Sequence, residues 1–244
     1  MKIDKNASLK EYNTFGIDAK ANYLVHFYDA DSIIDYLNTY GFKKDSSFIM
    51  GGGSNVLFTR DFDGVVLRVE LEGINIIDED ENYAYVKAAA GENWDSLVRF
   101  AIDRELGGLE NLSLIPGKVG AAPVQNIGAY GVEQSDHFYS LEAISIRDQE
   151  KREFSKQDCK FGYRDSIFKN DYAEQYIITS VTYRLDKKPE IQTNYDTVQS
   201  ELEGMEIQDS GVKDVATAIT NIRKRKLPDP EKTGNAGSFF KNPV

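Results

Sequence analysis

Two glycine-rich runs are the first places in this chain where residue type and spacing suggest chemistry. Gly51-Gly52-Gly53-Ser54-Asn55 offers successive backbone N–H groups with no Cβ in front of them, which is what an anion-binding nest requires. A plain tight turn accounts for the same residues, since glycine clusters are common loop punctuation. Neither common nucleotide signature is met: Gly117-Lys118 is followed by Val119 where a Walker loop needs a hydroxyl, and Val56 stands at the third glycine position of a dinucleotide fingerprint. The second run, Ile115 to Gly131, carries Pro116, Gly117, Gly120, Ala121, Ala122, Pro123, Gly128 and Ala129. Small residues let backbone press against a flat ligand, and the Gln125 and Asn126 amides can hydrogen-bond the edge of a heteroaromatic ring. A purely structural loop is the alternative.

Three shorter patterns carry charge or a hydroxyl. Tyr163-Arg164-Asp165-Ser166 sets an arginine beside an aromatic and an acid. That reads either as a surface ion pair of small energetic consequence or as a fork for a substrate carboxylate. Arg223-Lys224-Arg225-Lys226 sits at the end of a helical pattern, where cations complement the helix dipole; in an acidic protein such a cluster can also hold a diphosphate. Gly234-Asn235-Ala236-Gly237-Ser238 places a hydroxyl in a glycine-flanked turn.

Composition narrows the classes. With 40 Asp+Glu against 29 Lys+Arg, the net charge of −11 argues against a binder of nucleic acid or of anionic membrane surface. One cysteine, Cys159, cannot form an internal disulfide and points to a reducing, cytoplasmic setting. His26, His137 and that cysteine cannot make a Cys/His zinc site, and neither histidine sits in a recognisable hydrolase triad, so no metal is expected. The start of the chain carries no apolar leader, and no window approaches the ~20 apolar residues of a membrane span.

The elements that must position these residues alternate at first. Asn22 to Tyr28 predicts a strand, Asp31 to Tyr40 a helix ending at Gly41, and Ser47 to Met50 a second strand. The glycine loop then hangs between that strand and a resumed apolar signal at Val56 to Phe58. Strands follow at Val65 to Val69, Ile74 to Ile77 and Tyr83 to Ala89, then a helix over Asn93 to Arg104 with Asn93 as its N-cap. Leu106 to Glu133 is a long irregular stretch too apolar for disorder, and loops of that length are usually functional. An antiparallel meander is predicted over Phe138 to Arg147, Lys151 to Phe154 and Tyr176 to Leu185. A boundary near Lys187-Lys188-Pro189 precedes helices at Tyr195 to Leu202 and Val212 to Lys226, and Gly237 to Val244 reads as the entry to another strand.

Asn13-Thr14-Phe15-Gly16, the Gly51 to Asn55 loop, Gly108-Leu109-Glu110 through Gly131, Tyr163 to Ser166, and Lys226-Leu227-Pro228-Asp229-Pro230 with Gly237-Ser238-Phe239-Phe240-Lys241-Asn242-Pro243 occur in a fixed order. In that order the chain closely resembles the UDP-N-acetylenolpyruvoylglucosamine reductase family of peptidoglycan precursor synthesis. The resemblance implies an α+β fold: a two-lobed FAD-binding module of the vanillyl-alcohol-oxidase (PCMH) type over 1–70 and 71–188, then the start of a third α/β substrate domain over 189–244. It implies non-covalent FAD, reduced by NADPH, that passes hydride to the enolpyruvyl ether of the UDP-sugar. Gly52, Gly53, Ser54 and Asn55 would bind the FAD pyrophosphate, and Pro116 through Ala129 would line the flavin. Arg164 would stabilise an enolate and Ser238 would protonate it, while Tyr163, Tyr195, Lys226 and Asn242 would contact the substrate. A catalytic glutamate near the family's C-terminus has no counterpart before Val244. The 244-residue chain is therefore expected to hold an incomplete substrate domain and to be inactive or weakly active. Two other readings remain open, a non-catalytic flavin- or nucleotide-binding module of the same fold and an oxygen-using oxidase.

Overall fold

The computed structural model describes residues 1–229 and 232–237. Its first sheet is built from β1 (Lys2–Ser8), β2 (Lys20–Phe27), β3 (Ser47–Met50) and β4 (Phe62–Val69), in the order β1-β2-β4-β3. The β2, β4 and β3 strands run parallel, joined in part by helix α1 (Ala30–Tyr40), and β1 adds antiparallel at the edge. Both faces of β4 are covered, as parallel strands require: Leu67 and Val69 join one apolar cluster and Val66 another. Asp29 caps α1 by accepting from Ser32 N at 2.7 Å, and Gly41, at φ 69°, lets its own N–H reach Leu37 O to end it.

The second sheet is antiparallel throughout. It takes β5 (Ile74–Glu79), β6 (Tyr83–Ala89), β9 (Phe138–Ser145), β10 (Lys151–Ser155) and β11 (Tyr176–Asp186) in the order β10-β9-β11-β6-β5. Between β6 and β9 lie helix α2 (Trp94–Ile102), the long loop, the short hairpin strands β7 (Gly128–Ala129) and β8 (Val132–Glu133), and the single turn α3 (Gln134–His137). One core serves both sheets, since Phe27, Ile33 and Leu67 of the first cluster with Val86, Trp94, Leu141 and Tyr183 of the second. Trp94 anchors it: its Nε1–H donates to Leu112 O at 2.9 Å and its ring meets Tyr183 edge-on at 5.7 Å. A smaller cluster under α4 (Asp196–Gly204) and α5 (Val212–Lys226) joins Val198 and Leu202 to Val215, Ile219 and Ile222.

Several expectations need correction. Val56 to Phe58 is not strand; Phe58 contributes a buried ring instead, and the next strand begins at Phe62. Asn93 stands at the N-cap of α2, yet its side chain makes no capping bond, and Asp95 in the first turn binds Leu114 N at 2.6 Å. β1 was not foreseen. Beyond β11 the described residues form the helices α4 and α5 and no strand, and the strand entry expected at Gly237 to Val244 lies, after Gly237, outside them. No described helix is long and apolar enough to cross a membrane.

A buried polar cluster fastens β1 to the first sheet. His26, 3% exposed, sets Nδ1 2.9 Å from Glu70 Oε2 and Nε2 3.3 Å from Asp4 Oδ2, the latter without hydrogen-bond geometry. Arg68 donates through Nε to Glu70 Oε1 at 2.9 Å and lies 4.4 Å over the Tyr12 ring. Burial works against the Glu70 carboxylate, but the His26 hydrogen bond and the Arg68 charge more than offset it and hold it below the usual 4.5. Such a group stabilises the fold above its unfolded value, and that contribution is lost as pH falls through the folded value. Glu70→Gln is expected to lower the melting temperature at neutral pH by ~2–4 °C for each kcal/mol lost and to make the acid limb shallower. Thermal melts from about pH 3 to 8 check this, and parallel curves for the two proteins would contradict it.

Candidate functional site

The Gly51–Asn55 loop leaves the end of β3 and packs against the long loop of the second lobe. Close approach explains the glycines: a Cβ on Gly52 would stand 3.2 Å from Gly117 Cα, and one on Gly120 would stand 2.6 Å from Ala90 Cβ. Two polar contacts close the seam, Ser54 Oγ to Pro116 O at 3.2 Å and Asn55 Nδ2 to Gln125 Oε1 at 2.8 Å. The Asn13–Gly16 turn supports the loop from below. Asn13 is locked by bonds to Leu9 O, Ile17 O and Ile17 N, and Thr14 N donates to Gly53 O at 3.2 Å.

Along this seam opens a cleft of about 440 Å³. Gly51 to Val56, Pro116 to Lys118, Gly120 to Ala122, Val124, Gln125 and Ile127 form one side, with Phe48, Val69, Trp94, Tyr176 and Ile178 among the apolar walls. Bare backbone at the glycines and apolar walls suit a long, flat, phosphate-bearing ligand. The Lys118 ammonium borders the cleft, held below the usual 10.5 by burial and then by the Arg68 charge.

Asn126 does not face this cleft. Its side chain is 0% exposed and its hydrogen-bonding capacity is filled: Nδ2 donates to Glu133 Oε2 at 2.7 Å and Gly162 O at 3.0 Å, while Oδ1 accepts from Gln134 Nε2 at 3.1 Å and Ser135 N at 3.2 Å. In this structure the amide is turned into the loop that it holds and is not presented to the cleft, where the sequence reading places it. Pro123 is likewise buried and, with Gly128 and Ala129, lies outside the cleft lining.

Arg164 sits beyond that end of the loop. Its Nη1 donates to Asn126 O at 3.2 Å, its Nη2 donates to Gly128 O, and Glu133 Oε1 lies 3.6 Å from Nη1. The pairing with Asp165 weighed from sequence is replaced by this one. Asp165 Oδ1 accepts from Ser166 N and Asn170 Nδ2, and Ser166 Oγ donates to Val124 O at 2.7 Å, tying the Tyr163–Ser166 turn to the long loop. Tyr163 is exposed, with the Arg164 guanidinium 5.2 Å from its ring centre. Leu114, Asn126, Tyr130 and Arg164 all adopt positive φ without being glycine, as do residues far from the cleft such as Asn6, Gln149 and Glu206.

Helices α4 and α5 pack against the long loop, outside the cleft lining. Tyr195, at the start of α4, meets Tyr130 edge-on at 5.6 Å. Arg223 turns inward, its Nε donating to Leu114 O at 3.3 Å; burial pushes the adjacent Tyr130 phenol up, with the Arg223 charge opposing. Arg225 pairs with Glu201 across the helices, which leaves Lys224 and Lys226 as exposed cations of the basic run. Ser238 and Asn242 lie outside the described residues, but the segment leading to them is placed: Asn235 N donates to Thr14 O at 2.9 Å.

Sequence reasoning passed over Glu133 and Arg223 as individual contributors and missed the aromatic wall of Phe168, Tyr172 and Tyr176. The Glu133-to-Asp136 spacing of a capping box was the available signal for the first; nothing local marks the wall. Cys159 is buried with its thiol pushed up to about 12, so it is chemically quiet, and the described residues hold no metal-binding cluster. Gly53 has φ 65° and would bring a Cβ within 1.9 Å of Tyr12 O, whereas Gly131, φ 83°, has open space. Gly53→Ala is expected to disrupt the loop and depress ligand binding at the seam, while Gly131→Ala costs about 1–2 kcal/mol of backbone strain alone. Urea unfolding and ligand titration of both variants would show equal losses if the steric reading were wrong.

Comparison with known proteins agrees with this geometry. A family model described as an FAD binding domain matches residues 21–150. Over 245 residues the chain is 49% identical to the UDP-N-acetylenolpyruvoylglucosamine reductase of Flavobacterium johnsoniae, covering 100% of this chain and 72% of that protein. It is 46% identical over 244 residues to the protein of that name from Pseudomonas aeruginosa, with the same coverage of 100% and 72%. Among solved structures, UDP-N-acetylenolpyruvylglucosamine reductase from Thermus caldophilus matches with a TM-score of 0.73 at 22% identity, covering 100% of this chain and 76% of that one. A solvent-stable cholesterol oxidase matches at 0.54 and 16% identity, covering 74% and 37%. The structural likenesses establish the two-lobed FAD-binding fold of the PCMH type. Sequence identity sustained along the whole chain goes further, and the chain belongs to the UDP-N-acetylenolpyruvoylglucosamine reductase family of FAD-dependent oxidoreductases.

Proposed function

We propose that this protein reduces UDP-N-acetylenolpyruvoylglucosamine to UDP-N-acetylmuramate, with NADPH as electron donor and non-covalently bound FAD, as a cytoplasmic step of peptidoglycan precursor synthesis. The observation that carries this reading is the glycine-walled cleft running along the seam of the lobes, with Arg164 held just past one end of the loop that borders it. We read 1–70 and 71–188 as the two lobes and α4–α5 as the first part of the substrate domain.

Bound FAD supplies the relay of two electrons from NADPH to the vinyl carbon of the substrate. The chain's residues do the rest. Gly52, Gly53, Ser54 and Asn55 would present backbone and short polar groups to the pyrophosphate; a Cβ on Gly52 would crowd Gly117 across the seam, and one on Gly53 would strike Tyr12 O beneath the loop. Pro116, Gly117, Gly120, Ala121, Ala122 and Gln125 border the same cleft, and Gly128 and Ala129 form the hairpin edge nearest Arg164. Hydride addition at the terminal vinyl carbon leaves negative charge shared between the ether carbon and the carboxylate, and Arg164 is suited to stabilise it. Ser238 would donate the proton that completes the lactyl ether. Tyr163, Tyr195, Lys226 and Asn242 would hold the nucleotide-sugar, the exposed lysine at the end of α5 meeting its diphosphate.

Heat or acid treatment of the FAD-loaded protein is expected to release all the flavin, since His26, His137 and Cys159 match no flavinylation motif. Colour retained on the precipitate would reject that. In a chain of the relatives' full length, Arg164→Ala should slow flavin reoxidation by the UDP-sugar by about 10²–10³-fold while barely changing reduction by NADPH, whereas the 244-residue chain itself is expected to be inactive or weakly active. Stopped-flow measurement of each half-reaction decides, and equal slowing would assign Arg164 a structural role.

A further inference from the structure

We propose that Glu133 is the positioning residue for Arg164, acting through a closed ring of contacts that also contains Asn126. This rests on the reading of Arg164 given above. Arg164 Nη1 donates to the Asn126 carbonyl at 3.2 Å, the Asn126 amide donates to Glu133 Oε2 at 2.7 Å, and Glu133 Oε1 returns to Arg164 Nη1 at 3.6 Å. Each member therefore fixes the other two.

The ring is anchored on its buried side. Glu133 N donates to Asp136 Oδ2 at 2.8 Å, which sets the backbone from which the carboxylate projects. Asn126 is held by Gln134, and Gln134 Oε1 accepts from the fully buried Tyr183 hydroxyl at 2.9 Å, so the line runs from the core of the second sheet to the guanidinium. Space is tight on the other side, where a Cβ on Gly128 would stand 2.7 Å from Arg164 Nη1 and 3.0 Å from Glu133 Cγ.

The geometry divides the work. Two main-chain carbonyls take hydrogen bonds from the guanidinium, whereas Glu133, at 3.6 Å, tethers it by charge without a short bidentate pair that would neutralise it. Arginine has five N–H donors, so others remain for an arriving anion. Arg164 and Glu133 side chains are 28% and 32% exposed, which leaves the tether only partly screened. The Asn126 and Gly128 carbonyls fix one edge of the guanidinium, and Glu133 adds the one carboxylate that the structure places beside it.

The test is a double-mutant cycle on the FAD-loaded protein at its full gene-encoded length, read as reoxidation of dithionite-reduced flavin by UDP-N-acetylenolpyruvoylglucosamine. Glu133→Gln keeps an acceptor for Asn126 but removes the charge, and is expected to slow reoxidation about tenfold; Glu133→Ala should slow it by up to about 100-fold, the scale of a misplaced group. In an Arg164→Ala background either change should add no more than about twofold, because its target is gone. Reduction by NADPH should stay within about twofold throughout. Additive losses in the Arg164→Ala background would overturn the proposal, as would an unchanged rate in Glu133→Gln. If Glu133→Ala fails to fold, as its melting curve and flavin spectrum would show, Glu133→Gln carries the cycle alone. A parent protein that is not reoxidised by the sugar would overturn the functional reading itself, and this proposal with it.

Discussion

The buried amide of Asn126 is the point on which the site depends. Two donors and two acceptor positions are filled by four partners from two separate stretches of chain, the consecutive residues Glu133, Gln134 and Ser135, and Gly162. A buried amide left partly unpaired costs about 1–3 kcal/mol per orphaned group, so the arrangement is close to all-or-none. It fastens the long loop to the β7–β8 hairpin, to α3 and to the turn carrying Arg164. Remove it and the loop, the hairpin and the arginine lose their common reference.

Elsewhere the two lobes are joined by shape more than by polar bonds. A single apolar core crosses from α1 and the first sheet to Trp94 and the second, which makes the cleft a seam in a continuous body and not a gap between mobile halves. Along the seam the spacing is set by what is missing, since Gly52 meets Gly117 closely for want of a Cβ, and within the second lobe Gly120 does the same against Ala90. Ser54 and Asn55 then bridge the seam with side chains short enough to leave the backbone uncovered.

Local patterns were legible where one face of an element is apolar and the other polar. The helices at 30–40 and 212–226, and most strands of the second sheet, followed from periodicity alone. β1 was not legible because Lys2, Asp4, Lys5 and Asn6 look like a solvated start; it is an edge strand held by its ladder to the distant β2, with the Asp4 carboxylate beside His26. Phe58 misled for the opposite reason, an apolar residue buried from a loop. The glycine runs and the Tyr163–Ser166 motif were found as sequence, but the duties of their members were not. Gln125 and Asn126 are neighbours with similar amides, and only tertiary partners decide that one borders the cleft and the other is sealed in the loop. Asp165 beside Arg164 suggested a pair that the positive φ of Arg164 turns toward Glu133 instead.

Thr14 uses both of its main-chain groups across the chain, its N–H on Gly53 O and its carbonyl under Asn235 N. The second partner lies roughly 220 positions further along, so on a ribosome elongating at ~5–20 residues per second it emerges roughly 10–40 s after Thr14 itself. Until then the turn beneath the glycine loop has only its first partner, and the Thr14 carbonyl must be served by water. The turn beneath the glycine loop is thus completed only after a distant stretch of chain has been made, through a contact of very high sequence separation.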